Sequence, residues 1–360
     1  MKIENVNKIL VAKLCCLGDL VFITPAILKL KEKFPNAEFT FLYSDWVKNL
    51  IPFLPAIDKS INAGDVYEKN KIKLVINSFK LIKKLRKEKF DLVLSGHRNK
   101  LFGWLFKNSN IKYRIGFNGI PGYNITDEFD ENIPETSRYI KLLYKAGIVN
   151  QFCETGYPVK LNRINKDSKI NSEYDPSMRK VIGIFPFGGI NPGTNMLIKR
   201  WEFEKYIKLI DLLKNKYKII FFEGKEPGEK INVKIDDVEI TEIFMNKIMN
   251  CNYFISNDTG TMHIAAGFGV HTISIFGPTD PNILAPVSGF GVTHKFIWNK
   301  TVCAPCYTPI TAIEKHNKKY WDGNTFKCYM GDNRCMSELE VQRVYEEISE
   351  FIKETSKADI

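Results

Sequence analysis

Apolar and polar positions along this chain switch repeatedly between a period of about two and a period near 3.6. Val6–Leu14 is a short apolar run ending in Cys15-Cys16-Leu17-Gly18-Asp19, and LVFITPAILKLKEKF after it carries apolar residues at helical spacing. That segment reads as strand, tight turn and one helix. Glu38–Tyr43 alternates as a strand, Lys71–Lys89 is helix-periodic, Phe90–Ser95 reads as a buried strand and Lys112–Gly116 as another short one. Residues 163–179 are polar, contain Pro176 and have no period, so they are the expected linker.

Beyond it the alternation resumes: strand Lys180–Phe185, helix Glu202–Lys214, strand Tyr217–Phe222, helix Thr241–Asn250, strand Tyr253–Ser256, helix Thr261–Phe268 and strand His271–Phe276. The expected architecture is α/β, with two doubly wound domains at 1–162 and 180–336. A Cys- and aromatic-rich segment at 303–335 and a terminal helix within 337–360 complete the chain. Such sheets bind ligands at the carboxyl ends of their strands, so a cleft between the two domains is the expected site.

The 360 residues are 44% hydrophobic and 26% charged, which excludes disorder, collagen and coiled coil as whole-chain readings. No apolar run approaches the roughly 18–20 residues of a membrane span. The opening MKIENVNKILVAKL lacks a secretory h-region, which points to the cytoplasm. Net charge is +11, and between Lys29 and Arg114 nineteen basic residues face eight acidic ones, so the surplus is concentrated in the first domain. Such an excess either keeps the surface solvated or concentrates an anionic partner there. On Lys71–Lys89, apolar residues around Phe79, Ile82 and Leu85 share a face, with Lys80, Lys83, Lys84 and Lys87 on others. This pattern suits peripheral membrane association.

Three loops carry candidate chemistry. In Leu17-Gly18-Asp19, Gly18 permits a crowded backbone. Asp19 reads either as an N-cap or as a carboxylate free to act as general base. Ser256-Asn257-Asp258-Thr259-Gly260-Thr261-Met262-His263 ends a strand and starts a helix; its N-terminus is suited to a diphosphate, or it is simply well capped, with His263 half-buried. Phe187-Gly188-Gly189-Ile190-Asn191-Pro192-Gly193-Thr194 leads to Lys199-Arg200-Trp201, where glycine allows close backbone approach and a cation follows. GxxxxGK[ST], GxGxxG, GxSxG and HExxH are all absent, and Gly267-Phe268-Gly269 follows a helix, so it cannot serve as a dinucleotide fingerprint. Cys303-x2-Cys306 followed by Cys328 and Cys335 reads as tetrahedral S4 coordination of zinc or iron, with His316 as a spare ligand, or as reduced thiols packing a loop.

Several of these segments together resemble the ADP-heptose transferases of glycosyltransferase family 9. LVAKLCCLGDLVFITPAILKLKEKFPNAEFTFL is similar to the family's strand-GD-TP-helix opening. FISNDTGTMHIAAGFGVHTISIFGPTDPNILAP is similar to its D-[ST]-G-x-x-H-x-A-A and F-G-P-T-D-P block, KRWEFEKYIKLI to its K-R-W helix start, and DLVLSGHRNKLFGWL with YRIGF to its first-domain cleft strand. The resemblance implies a GT-B fold with two Rossmann-like domains, the acceptor on the first and the nucleotide sugar on the second. It implies inversion at the anomeric carbon without a cofactor, Asp19 as general base and Lys199 stabilising the departing diphosphate. It places Gly188, Gly189, Thr194, Glu223, Gly224, Asp258, Thr259, Gly260 and His263 in the donor site, and His97, Arg98 and Lys100 in the acceptor site.

The implied partners are ADP-heptose and an anionic glycolipid or a protein acceptor, at the inner face of the plasma membrane. Some relatives that glycosylate protein carry four cysteines as a structural metal site, which is what the resemblance implies for Cys303, Cys306, Cys328 and Cys335. Cys15-Cys16 stands where many relatives have small hydroxyl residues. The competing expectations are another nucleotide sugar, a silent nucleotide-sugar sensor and a nucleic-acid binder. Intact Asp19 and Lys199 argue against the sensor. The basic residues fall mostly on helical faces rather than among aromatics on a sheet or groove, which argues against nucleic acid.

Overall fold

The computed structural model describes residues 3–14, 16–64, 70–164, 179–191, 193–222 and 241–358. Most of the expected linker, with Glu223 and Gly224, lies outside them. The chain divides into two compact units, Met1–Asn162 and Arg163–Ile360.

The first unit runs β1 (Lys8–Ala12), α1 (Leu17–Phe22), α2 (Thr24–Lys33), β2 (Glu38–Tyr43), β3 (Lys59–Asn62), α3 (Lys71–Glu88), β4 (Leu92–Ser95), α4 (Lys100–Asn108), β5 (Tyr113–Phe117), β6 (Ile125–Asp127) and α5 (Glu135–Lys145). All its strand pairs are parallel, in the order β3-β2-β1-β4-β5-β6. Burial on both faces explains why β1 and β4 read as continuous apolar runs. The order reverses direction between β1 and β4, so the segments leaving those two strands border the crevice where doubly wound sheets bind ligands.

Two local expectations are corrected. LVFITPAILKLKEKF is two helices rather than one. Pro25 has no N–H to donate, so it sits in the first turn of a new helix, and the Thr24 hydroxyl closes the break by donating to the Val21 carbonyl at 2.7 Å. The unusual backbone in the turn belongs to Cys16, with φ of 65°, whereas Gly18 lies inside α1. Asp19 is therefore in the first turn of α1 rather than at its N-cap, which is Cys16.

The second unit runs β7 (Val181–Phe185), β8 (Ile190–Asn191), β9 (Thr194–Asn195), α6 (Phe203–Leu213), β10 (Lys218–Phe221), α7 (Glu242–Met249), β11 (Tyr253–Asn257), α8 (Gly260–Gly267), β12 (His271–Phe276), α9 (Pro281–Leu284), β13 (His294–Trp298), α10 (Pro309–Ile313), β14 (Trp321–Asp322), β15 (Thr325–Phe326), α11 (Arg334–Ser337) and α12 (Val341–Ala358). Its main sheet is parallel in the order β10-β7-β11-β12-β13, and the reversal falls between β7 and β11. Helix α12 is amphipathic. Its Val344, Ile348, Phe351 and Ile352 pack with Trp201, Tyr206, Leu209 and Leu213, and the Trp201 indole donates to the Leu339 carbonyl at 2.9 Å. The Cys-rich segment is not an appendage. Its strand β15 pairs with β9, and β14-β15-β9-β8 forms a small second sheet.

His294 on β13 is half-buried beside Thr272, their Nδ1 and hydroxyl 3.0 Å apart. Burial, with help from His271 and His263, pushes its pKa down to about 3. The unfolded chain therefore takes up this proton first, and stability is full above pH about 6.5 and is lost progressively as pH falls towards 3, by an amount on the order of 4 kcal/mol. pH-dependent denaturation of wild type and His294→Asn should show the shallower acid limb in the variant; identical limbs would contradict this account.

Candidate active site

Each unit gathers polar side chains at its own reversal point. In the first, the segment leaving β1 contributes Lys13, which is nearly buried, and α1 contributes Asp19, whose side chain keeps 30% of its surface exposed. The Lys13 ammonium lies 3.1 Å from Asp19 Oδ2 and 3.8 Å from Glu135 Oε1. Glu135 begins α5, where it accepts from the Arg138 guanidinium at 2.7 Å and from the Tyr139 hydroxyl at 3.0 Å. Burial works to raise the Glu135 pKa, but Lys13, Arg138, Tyr139 and Arg98 together hold it below the usual value. Gly96, just after β4, is required here because a Cβ would strike the Tyr139 ring.

The residues expected to meet the acceptor divide. Arg98 is exposed, with its guanidinium 4.0 Å from the centre of the Phe129 ring, and Lys100 is exposed at the start of α4. His97 is buried, stacked on Phe102 at 3.9 Å, and its Nε2 accepts the Leu14 N–H at 3.0 Å. That bond fixes the neutral tautomer with the proton on Nδ1, and burial lowers the pKa well below the usual value. His97 thus ties the end of β4 to the end of β1.

In the second unit Lys199, on a short 3-10 turn, places its ammonium 2.7 Å from Asp258 Oδ2, where the Thr279 hydroxyl also donates at 2.8 Å. The pair is mostly buried. Burial acts to raise the Asp258 pKa, but Lys199, Thr279 and His263 outweigh it and leave the carboxyl below its ordinary value. Asp258 therefore holds the lysine in place.

Asn257 beside it is fully buried. Its carbonyl oxygen accepts from the Trp201 N–H and the Tyr206 hydroxyl, both at 2.9 Å, and its amide donates to the Pro186 carbonyl at 2.8 Å. One side chain thus locks β7, β11 and the start of α6 together. Gly188 and Gly189 have φ of 107° and 82°, and a Cβ on Gly188 would overlap the Thr259 methyl, so the loop lies against the start of α8. The Arg200 guanidinium donates to the Gly188 carbonyl at 2.7 Å and holds the loop there. Thr259 is the N-cap of α8 and its hydroxyl pairs with that of Thr261 at 2.7 Å; Gly260 opens the helix and His263 is buried in it. Thr194 lies on β9, in the hairpin that continues towards Lys199.

The Cys-rich segment braces this site. The Cys306 and Tyr307 amides both donate to the Pro278 carbonyl at 2.9 Å, the Tyr307 ring lies 5.2 Å from the Lys199 ammonium, and the Asn333 amide donates to the Ile198 carbonyl at 3.3 Å. Burial, with neighbouring sulfurs adding to it, pushes Cys306 up to about 11 and Cys335 to about 12. The four expected ligands are thus in electrostatic reach of one another. Among the described residues, however, no group of three or more His, Cys, Asp or Glu is arranged to hold a metal ion. The sulfurs have other partners: Cys303 with the Thr301 hydroxyl at 3.3 Å, Cys328 accepting the Asn333 N–H at 3.3 Å, and Cys335 donating to Asn333 Oδ1 at 3.7 Å. His316 is exposed.

Lys13, Glu135 and Arg138 did not stand out in the sequence, and Asn257 and Thr279 lay inside motifs that did without being given a role. The one available signal was a lysine closing the apolar run LVAKL, since a charge there must find a buried partner.

Two doubly wound units, each with a parallel main sheet, define a protein of the GT-B fold class, and comparison agrees. The E. coli ADP-heptose lps heptosyltransferase II structure matches with a TM-score of 0.68 at 19% identity, covering 97% of this chain and 99% of that one. The iron-containing dodecameric glycosyltransferase TibC from enterotoxigenic E. coli matches with a TM-score of 0.54 at 13% identity, over 98% of this chain and 78% of that one. Residues 78–317 match the model of glycosyltransferase family 9 (heptosyltransferase), and the chain belongs to that family of enzymes. Among curated relatives, lipooligosaccharide heptosyltransferase 2 of Campylobacter jejuni is 24% identical over 362 residues, 94% of this chain and 96% of that protein.

Asp258→Asn should strand a largely buried ammonium and destabilise the second unit by about 3 kcal/mol or more, whereas removing both charges with Lys199→Met/Asp258→Asn should restore part of that loss. Denaturant titration of the three variants measures this; equal stability of Asp258→Asn and wild type would contradict the pairing.

Proposed function

We propose that the protein transfers a heptose from ADP-heptose to an acceptor hydroxyl with inversion, on a lipopolysaccharide or lipooligosaccharide core at the cytoplasmic face of the membrane. The observation that carries the reading is the Lys199 ammonium, held by Asp258 and Thr279 beside the glycine loop and the start of α8. An inverting displacement needs the leaving diphosphate neutralised, and a lysine, backbone N–H groups and a helix N-terminus supply that charge complementarity. Gly188, Gly189, Thr194, Thr259, Gly260 and His263 complete the donor site, with Glu223 and Gly224 from outside the described residues.

On the acceptor side Asp19 is the general base. Its partly exposed carboxylate is anchored from below by Lys13, which leaves room for a hydroxyl to approach. Arg98 and Lys100, exposed after β4, meet an anionic acceptor, and His97 holds the backbone that carries them. The relatives' names supply the heptose and the core acceptor.

The four cysteines support one further element of this reading. Their CxxC-plus-two spacing is that of a soft tetrahedral donor set, so Cys303, Cys306, Cys328 and Cys335 would hold a structural zinc or iron on drawing together, with Cys306 and Cys335 giving up protons that burial holds on them. The likeness to the iron-containing glycosyltransferase TibC supports this element, and the four-cysteine resemblance carries a protein hydroxyl as the alternative acceptor. Because the segment braces Ile198, Pro278 and the strand before Lys199, loosening it should weaken the donor site as well as the fold.

Asp19→Asn should leave ADP-heptose binding intact and lower turnover by roughly 10²–10⁴-fold. Lys199→Ala should weaken donor binding and turnover together. Both are read from transfer kinetics, and an unchanged turnover in Asp19→Asn would sink the base assignment. Elemental analysis should find about one zinc or iron per chain, and Cys303→Ser should lose both the metal and affinity for ADP. Four titratable thiols in metal-free protein with an unaltered melting curve would remove the metal from the account.

A further inference from the structure

Helix α3 has two apolar faces, and only one is used. Ser78, Leu81, Ile82 and Leu85 are buried against the first unit's sheet, so the expected shared face of Phe79, Ile82 and Leu85 is split. Ile72, Val75, Ile76 and Phe79 recur at spacings of three, one and three, which places them about 120° round the helix from the buried set at 100° per residue. They are 73%, 53%, 47% and 58% exposed. Trp104 of α4, also 39% exposed, meets the Phe79 ring edge-on at 5.9 Å and extends the surface onto a second helix. Five large apolar side chains on neighbouring turns make a continuous patch, which distinguishes them from scattered surface residues.

Charge surrounds this patch with one sign. Lys71, Lys73, Lys80, Lys83, Lys84, Arg86 and Lys87 lie on α3, and Lys100 and Lys107 on α4. The single acid of the two helices, Glu88, is paired with Lys8 at 3.8 Å. Among the described residues none of the α3 lysines is ion-paired.

The geometry points to an anionic lipid bilayer surface as the occupant. Headgroup phosphates meet the lysines, while Ile72, Val75, Ile76, Phe79 and Trp104 enter the boundary between headgroups and acyl chains. A second copy docked on the same patch would bring lysines against lysines. A bilayer presents negative charge and an apolar layer together, which is what this surface complements. No helix among the described residues is long and apolar enough to cross a membrane, so the attachment is in the plane of the interface. The inference stands apart from the transferase reading, because neither the apolar patch nor any residue varied to test it is assigned to donor or acceptor.

Sedimentation of the full chain with vesicles tests it, comparing phosphatidylcholine alone with vesicles containing about one-third phosphatidylglycerol. Binding should require the anionic lipid and fall steeply between low salt and about 0.5 M salt. Ile76→Ser/Phe79→Ser should lower partitioning at least about tenfold, and Lys80→Gln and Lys83→Gln about fivefold each. All four positions are exposed, so melting curves should stay at wild type. Equal binding to neutral vesicles, or wild-type binding by Ile76→Ser/Phe79→Ser, would overturn the proposal. So would a double variant that changes only oligomeric state, which would make the patch a contact between copies. Failure of the transferase reading would show separately, as unaltered protein whose melting temperature does not respond to ADP.

Discussion

An ammonium and a carboxylate withdrawn from water return their desolvation cost only when their geometry is good and their remaining hydrogen-bonding capacity is filled. The Lys199–Asp258 pair meets that condition through Thr279, and much of the second unit is organised to keep it so. Asp258 stands where β11 ends because Asn257, one residue earlier, is bonded to the end of β7 and to Trp201 and Tyr206. Trp201 is in turn held by Leu339 ahead of the terminal helix. Lys199 is fixed from the other side by the small sheet and by Asn333. Loosening any of these supports would leave a charge without its partner in a low-dielectric setting, where the cost is greatest.

The large features were legible because they rest on periodicity. Apolar runs in β1, β4 and β7, too short for buried helices, read as strands buried on both faces, and alternation with helices then leaves a parallel doubly wound sheet. What was not legible depended on contacts distant in sequence. The break at Ile23 needed the consequence of Pro25 to win over a helical period that continues through it. The left-handed backbone at Cys16 contradicts the simple expectation that Gly18 would take it, because the fold starts α1 before the glycine is reached. Short edge strands β3 and β6 carry too few residues for a period to register.

The site divides in the same way. Asp19, Lys199, Asp258 and the glycine loop were visible because loops between strand and helix concentrate polar and glycine residues. Their partners were not. Glu135 lies 122 residues after Lys13 in the chain, and only the sheet order brings α5 back to the end of β1. The pairing of Asp258 was hidden for the same reason, since nothing local says that a lysine fifty-nine residues earlier will bond to it.

Both units thus place a lysine–aspartate pair at the reversal point of a parallel sheet, and the difference between the two pairs is informative. In the first, the lysine is nearly buried and the carboxylate keeps nearly a third of its surface in solvent. In the second, both partners are nearly buried and the carboxylate accepts a further hydroxyl. A carboxylate that remains accessible while its cation is fixed behind it can take a proton from an incoming hydroxyl. A nearly buried carboxylate already bonded to an ammonium and a hydroxyl is poorly placed for that, but it can fix the ammonium in position before any anion arrives. The same two residue types, differing in the exposure of the carboxylate, match the two roles proposed for them: base chemistry in the first unit and charge neutralisation in the second.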